Sequence, residues 1–386
     1  MEKNIIPLVK DTISQRELES LSAWILTNPR LTKGPQTIEF EKEFSEWLGT
    51  KYSVFCNSGS SAILLMLHAL QVSKRMKNNK VVVPSLAWAT DLSSPMILGM
   101  QPIVCDVNMQ DLSVSLNDLE DIFKTESPSV LLLVSVLGIP PRMDQIVDLC
   151  KKYGVILLED ACETMGSEFK GNKIGTFGDM SCFSFYYGHT ASTIEGGMIS
   201  TDDEELYEIL KSIRSHGWDR DSSEGFRKKL RDKWAVEDFN GLYTFYFPGL
   251  NLRSTDLQAF IGRGQIKRFD EFFSARNKNY KLYKNLLKKS IWVPQEPEDS
   301  FVCNFCFPLI HENREQIVQE LIENNIECRP LISGSMGTQP MYIEKYGRLD
   351  LPNVSKIDKF GFYVPNNHQI SEIEIQLICD IINKNS

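Results

Sequence analysis

Along residues 37–215, short apolar, β-branched runs alternate with stretches whose apolar residues recur every three to four positions. The runs predict strands at 80–84, 102–107, 130–137, 155–159, 182–187 and 197–200. The amphipathic stretches predict helices at 37–48, 60–70, 116–124, 143–153 and 203–216. Strands separated by helices pair in parallel, so the expected fold class is α/β: a three-layer, mostly parallel sheet covered on both faces. In such sheets ligands bind outside the carboxyl ends of the strands. Residues just past those ends are therefore the first to inspect for chemistry.

Around 217–251 the pattern gives way to a charged, aromatic stretch, GWDRDSSEGFRKKLRDKWAVEDFNGLYTFYFPGLN, whose KKLRDK run reads most simply as a solvated face. Helical patterns follow at 254–266 and 271–288. From about 290 the chain looks more antiparallel, with a strand at 303–309 and helices at 314–324 and 371–383. At 386 residues the chain is long for one core, so two domains are expected, with the boundary near 250–290. No internal repeat is visible.

Composition narrows the partners. A formal net charge of −9 argues against a nucleic acid or an anionic membrane, both of which call for a basic field. A small anionic ligand would need a local cluster of Arg, Lys and backbone N–H groups. The N-terminus lacks the charged-then-apolar pattern of a signal peptide, and the longest apolar runs, such as 130–137, are too short to span a bilayer. Nine scattered cysteines, mostly inside apolar runs, read as buried free thiols of a cytoplasmic protein. Cys303 and Cys306 form a C-x-x-C without the second pair that a zinc or iron–sulfur site would need, and two strand cysteines is the better reading.

Four stretches past strand ends hold candidate chemistry. Asn57-Ser58-Gly59-Ser60-Ser61 is a small-residue turn feeding a helix, which suits a phosphate and equally an ordinary serine-rich cap. Asp160 and Glu163, in LLEDACE, follow the 155–159 run. A carboxylate there needs a cation, such as a protonated ring nitrogen, or serves as a helix cap or structural ion pair. Trp88, in PSLAWATD, offers a ring face to a flat ligand, or simply packs. The fourth, SFYYGHTASTIEGGMIS, has Ser184 in its strand and His189 in its loop. His189 is the one loop residue there that exchanges a proton near neutral pH, although a lone loop histidine is usually unremarkable. Together the four supply partners for a phosphate, a ring nitrogen, a ring face and a proton, all along one set of strand edges.

Read in order, GPQTIEFEKEFSEWLG, NSGSSA, PSLAW, LLEDACE, SFYYGHTASTIEGGMIS, RSHGWDRD, GLNLRSTDLQA and GFYVPNNHQIS resemble the sugar-nucleotide aminotransferases of the aspartate-aminotransferase superfamily, the fold type I pyridoxal-phosphate enzymes. The resemblance implies a large cofactor-binding domain at 37–255, a smaller α+β domain at 256–386, and a segment 1–36 packed near the active site. In that family a lysine stands six residues before the Glu of the EGG turn and forms an imine with the cofactor; here that position is His189. The subgroup with histidine resembles GDP-4-keto-6-deoxymannose 3-dehydratase, though such sequences often carry a second histidine where this chain has Thr190.

The resemblance implies loss of the C3 hydroxyl of a 4-keto-6-deoxy nucleotide sugar, as in 3,6-dideoxy sugar and O-antigen biosynthesis. Pyridoxamine phosphate would bring its own amine, His189 would move the proton, and L-glutamate would recharge pyridoxal phosphate. Gly59, Ser60 and Ser184 would bind the phosphate, Trp88 would stack on the ring, Asp160 would pair with the ring nitrogen, and Glu163 would lie near the ring hydroxyl. Asn251 would reach the phosphate of a partner subunit, which implies a homodimer. His216, Arg220 and Arg329 would contact the substrate. The rival expectations are an aminotransferase, which needs the lysine, an iron–sulfur CDP-sugar 3-dehydrase, which needs clustered cysteines, and an idle cofactor-binding sensor.

Overall fold

The computed structural model describes residues 5–385. Its main sheet has seven strands in the order Tyr52–Cys56, Gly197–Thr201, Met180–Ser184, Ile156–Asp160, Val130–Val134, Lys80–Pro84 and Gln101–Cys105. Only Gly197–Thr201 runs against the others. The side-chain alternation of a strand explains why both faces are apolar. Val81, Val83, Leu132 and Leu158 enter one core, whereas Val82, Leu131, Leu133 and Leu157 enter the other. Helices Gly59–Ser73 and Glu204–Ile213 pack on the first face, and Pro35–Leu48, Leu116–Glu126 and Met143–Tyr153 on the second. This is the expected three-layer α/β architecture.

A third core lies under a small antiparallel sheet of Cys306–Ile310, Gly361–Pro365 and Arg329–Pro330, packed by Glu372–Lys384 and the second half of Phe269–Leu286. The helix Phe269–Leu286 joins two cores: Phe269, Phe272 and Phe273 enter the sheet's second core, Tyr280 and Tyr283 the small one. Helix Asp256–Ile266 packs on Pro35–Leu48, with Gly262 lying directly over the Phe40 ring. Ahead of them, Thr12 is buried, and its hydroxyl accepts the Ser192 N–H. Among the described residues no helix is long and apolar enough to cross a membrane.

Several expected elements end early, among them the strand expected at 102–107, which stops at Cys105, and the helix expected at 271–288, which stops at Leu286; three others do so for a visible local reason. The strand expected to reach 137 stops at Val134; Val136–Gly138 forms a tight turn with Leu137 at φ 50°, held by its N–H donating to Glu163. The strand expected at 182–187 stops at Ser184, whose hydroxyl accepts the Tyr186 N–H and turns the chain outward. The helix expected at 203–216 ends at Ile213, and His216 takes φ 64° as its N–H pairs with the Leu250 carbonyl. The KKLRDK run lies on a helix, Glu224–Trp234, that buries only Leu230.

Candidate active site

The carboxyl ends of Tyr52–Cys56, Lys80–Pro84, Val130–Val134, Ile156–Asp160 and Met180–Ser184 open on the same edge of the sheet. Neighbouring Glu159 and Asp160 point to opposite faces there. Glu159 is fully buried on the far face, where its carboxylate accepts the N–H groups of Gly175, Phe177 and Gly178. Asp160 faces the crevice, accepts the Cys162 N–H at 2.9 Å and the Cys182 thiol at 3.5 Å, and is 4 % exposed.

Beside Asp160 the chain enters helix Gly59–Ser73 through a capped turn. The Ser58 hydroxyl accepts the Ser61 N–H, which leaves the first N–H groups of the helix facing the crevice. Gly59 is required by close approach: a Cβ on it would lie 2.8 Å from Ser184 Cβ and 2.9 Å from Cys162 Sγ. Gly197 is required likewise, since its Cβ would meet the Ser58 carbonyl at 2.1 Å. Ser60 is exposed, with its hydroxyl 2.9 Å from that of Thr90. Gly59, Ser60 and Ser184 thus meet at one helix N-terminus, where the helix dipole favours an anion.

Trp88 caps the next helix, Ala89–Ile97, and the residue is 56 % exposed. The Trp88 backbone N–H donates to Asp91, whose other carboxyl oxygen is buried without a hydrogen-bond partner beside Asp160. Burial, reinforced by Asp160, pushes the Asp91 carboxyl well above the carboxylate range. Glu163 accepts the Leu137 N–H at 2.7 Å; burial, followed by repulsion from Asp160, pushes it up to about 8. Among the described residues, no Lys or Arg forms an ion pair with these three acids. A floor of this kind, beside an exposed ring and an anion-binding turn, fits a flat aromatic ligand that carries a protonated ring nitrogen and a phosphate. The Cys162 and Cys182 thiols lie with Asp160 in one tight group, but both are pushed up and stay protonated, Cys162 by its contact with Cys182 and then by burial, Cys182 by burial.

His189 closes the crevice from above. Its Nδ1 lies 2.6 Å from the Cys162 carbonyl, which only accepts, so Nδ1 carries the proton. In the neutral ring Nε2 is then bare. The imidazole stacks on Phe305, with ring centres 5.5 Å apart, and meets Tyr186 edge-on. Burial lowers its pKa, against opposing pulls from the Cys162 carbonyl and Asp160. Thr190 beside it is fully buried.

Arg329 stands exposed at the rim, on the strand that pairs with Tyr363. His216, Arg220 and Asn251 form a separate group beyond Tyr52–Cys56. Asn251 is exposed and pairs through its backbone with Ser215. The Arg220 guanidinium lies 4.0 Å from the Trp218 ring centre and donates to the Leu242 carbonyl. Among the described residues no hydrogen bond or ion pair links this group to Asp160 or His189. Cys303 and Cys306 are buried free thiols and belong to no group of three candidate metal ligands among the described residues. Sequence reasoning missed Asp91 and Phe305 as parts of the site: the first sat in a quoted motif as a bystander, and nothing local marks the second.

A family model described as the DegT/DnrJ/EryC1/StrS aminotransferase family matches residues 12–383. The GDP-4-keto-6-deoxy-D-mannose 3-dehydratase of Yersinia pseudotuberculosis is 33% identical over 390 residues, covering 98% of each chain. A solved GDP-4-keto-6-deoxymannose-3-dehydratase, a His-to-Asn mutant with bound GDP-perosamine, superposes with a TM-score of 0.89 at 30% identity, covering 98% of this chain and 100% of that one. Another structure of that enzyme, with a trapped PLP-glutamate geminal diamine, gives 0.87 at 30% identity over 97% of this chain and 99% of that one.

Proposed function

This chain belongs to the DegT/DnrJ/EryC1/StrS aminotransferase family, and from that premise we propose that it removes the C3 hydroxyl of a 4-keto-6-deoxy nucleotide sugar, with GDP-4-keto-6-deoxy-D-mannose as substrate and L-glutamate as amine donor. The observation that carries the reading is His189. The loop that would hold a lysine has none, since no lysine occurs between Lys173 and Lys211. In its place stands a neutral imidazole with Nδ1–H tied to a carbonyl and Nε2 free to accept a proton.

Pyridoxal phosphate and its amine form, when bound, supply the electron sink and the amine. Gly59, Ser60 and Ser184 would hold the phosphate at the helix N-terminus, Trp88 would cover the ring, and Asp160 would pair with the ring nitrogen. Glu163, protonated near neutral pH, would donate to the ring oxygen. With Nδ1–H held by the Cys162 carbonyl, His189 Nε2 would be the group that accepts a proton at the reacting centre and returns it to the departing C3 hydroxyl. Arg329 at the rim, with His216 and Arg220, would meet the sugar nucleotide. Asn251 would act on a partner subunit's phosphate, in a cytoplasmic homodimer. The exposed Trp234, Phe239, Tyr243, Phe245 and Leu250 offer the apolar surface such a partner would cover.

The test gives purified protein pyridoxamine phosphate, glutamate and GDP-4-keto-6-deoxymannose. A 3-deoxy sugar and ammonia are expected. A 4-amino sugar would instead make the chain an aminotransferase, cofactor binding without turnover would make it an idle sensor, and activity dependent on protein-bound iron would move it to the CDP-sugar class.

A further inference from the structure

Arg276, on Phe269–Leu286, is 2 % exposed, yet among the described residues no carboxylate pairs with it. A buried guanidinium without a counter-charge is costly, and its partners show what it holds. Nη1 donates to the carbonyls of Phe305 at 3.0 Å and Asn366 at 2.9 Å, and Nη2 to the carbonyl of His189 at 3.4 Å. The Asn366 amide in turn donates to the Arg276 carbonyl and to both the backbone and side-chain oxygens of Asn304.

The three carbonyls come from three segments. His189 belongs to the loop beyond the main sheet, whereas Phe305 and Asn366 flank strands of the small sheet. Arg276 sits where its helix passes from one core to the other, between Phe273 and Tyr280. Phe305 is also the ring against which the His189 imidazole stacks. One guanidinium therefore fixes the backbones of both members of the stacked pair. We propose that Arg276 is a positioning residue: by tying the His189 backbone to that of Phe305, it fixes where the imidazole stands relative to the crevice.

This rests on His189 being the proton-transfer group. The charged and polar groups facing that imidazole are Asp160 and the Cys162 carbonyl, which favour its cation, and Arg276, which opposes it. Arg276 itself faces the thiols of Cys303 and Cys306 and the ring of His368.

The test compares the full-length holoenzyme with Arg276→Met, Arg276→Lys and Phe305→Ala. Readouts are kcat and KM, cofactor absorbance, and the His189 titration from imidazole NMR, assigned by loss of the signal in His189→Asn. Arg276→Met is expected to lower kcat about tenfold or more, with KM within about twofold and the cofactor still bound. Its His189 titration should rise, because the opposing cation is gone. Arg276→Lys should keep the wild-type titration but only part of kcat, because an ammonium cannot span three carbonyls. Phe305→Ala, which leaves Arg276 in place, should lower kcat similarly without moving the cofactor spectrum. Full kcat in Arg276→Lys together with full kcat in Phe305→Ala would overturn the proposal, even if Arg276→Met failed to fold. Full dehydration by His189→Asn would instead defeat the underlying reading, whatever the Arg276 variants do.

Discussion

Replacing Glu163 with Gln tests the acid-rich floor of the site directly. The carboxyl is half-buried, accepts one backbone N–H from Leu137, and faces Asp160 without a cation, which moves it from 4.5 to about 8. Each pH unit of displacement is worth about 1.4 kcal/mol, so the full cost of holding it ionised in the fold is about 5 kcal/mol. Water reaches part of the group, and about 2 kcal/mol is the working figure after that screening. The folded value lies above the unfolded one. The contribution is therefore whole below about pH 4.5, is lost as pH rises towards 8, and stays lost above it. Gln cannot ionise and still accepts the Leu137 N–H.

The variant and the wild type should therefore melt together near pH 4.5–5 as apoproteins. The variant should gain progressively, to about 2 kcal/mol by pH 8–9. For a chain of 386 residues the unfolding entropy is about 0.8 kcal/mol per kelvin, which makes the gain roughly 2–3 °C in Tm. Scanning calorimetry across pH 5–9 reads it. Asp91 and Glu159 are common to both proteins and cancel. Parallel curves at all pH values, or a variant that loses ground at high pH, would refute the account of the floor.

His189→Lys should trap pyridoxal phosphate covalently, seen as a borohydride-reducible absorbance band, and abolish dehydration; full dehydration in that variant would remove His189 from its role. Glu159→Gln should destabilise the fold by about 1–3 kcal/mol in urea, because an amide cannot accept from all of Gly175, Phe177 and Gly178 and turns a donor towards one of them; an unchanged midpoint would mean these bonds carry nothing. Gly59→Ala should cost about 1–3 kcal/mol and weaken cofactor binding, since the new methyl collides with the Ser184 Cβ and the Cys162 sulfur. Trp88→Ala should leave apoprotein stability within about 0.5 kcal/mol, because the ring is exposed, while loosening the cofactor about tenfold by equilibrium titration.

Most of the sheet was legible because a buried parallel strand has few sequence alternatives. VVVP and VLLLV alternate their side chains into two apolar cores, and no helix of five residues would bury all of them. The strand Tyr52–Cys56 was not among the expected ones, and several other errors sit at strand ends, where function competes with pattern. Leu137 reads as strand by hydrophobicity, yet its N–H is needed by Glu163, and the chain turns to deliver it. Helix Ala89–Ile97 was overlooked for a related reason: Pro95 and four hydroxyl or acidic residues hide a segment whose Asp91 is buried towards the site.

The site divides in the same way. Gly59, Asp160, Ser184 and His189 are legible because each ends or follows a strand, and strand ends converge at one edge whatever the details of packing. Arg276 was hidden by an ordinary signal. In FDEFFSARNKNYKLY an arginine between Ser274 and Lys278 reads as part of a helix's wet face. That reading assumes one core per helix. Once Phe273 packs into one core and Tyr280 into another, the face between them is walled by Phe305 and Asn366, and the arginine is sealed beside the imidazole. Burial of a charge here marks the place where one helix serves two cores, and only three-dimensional packing reveals it.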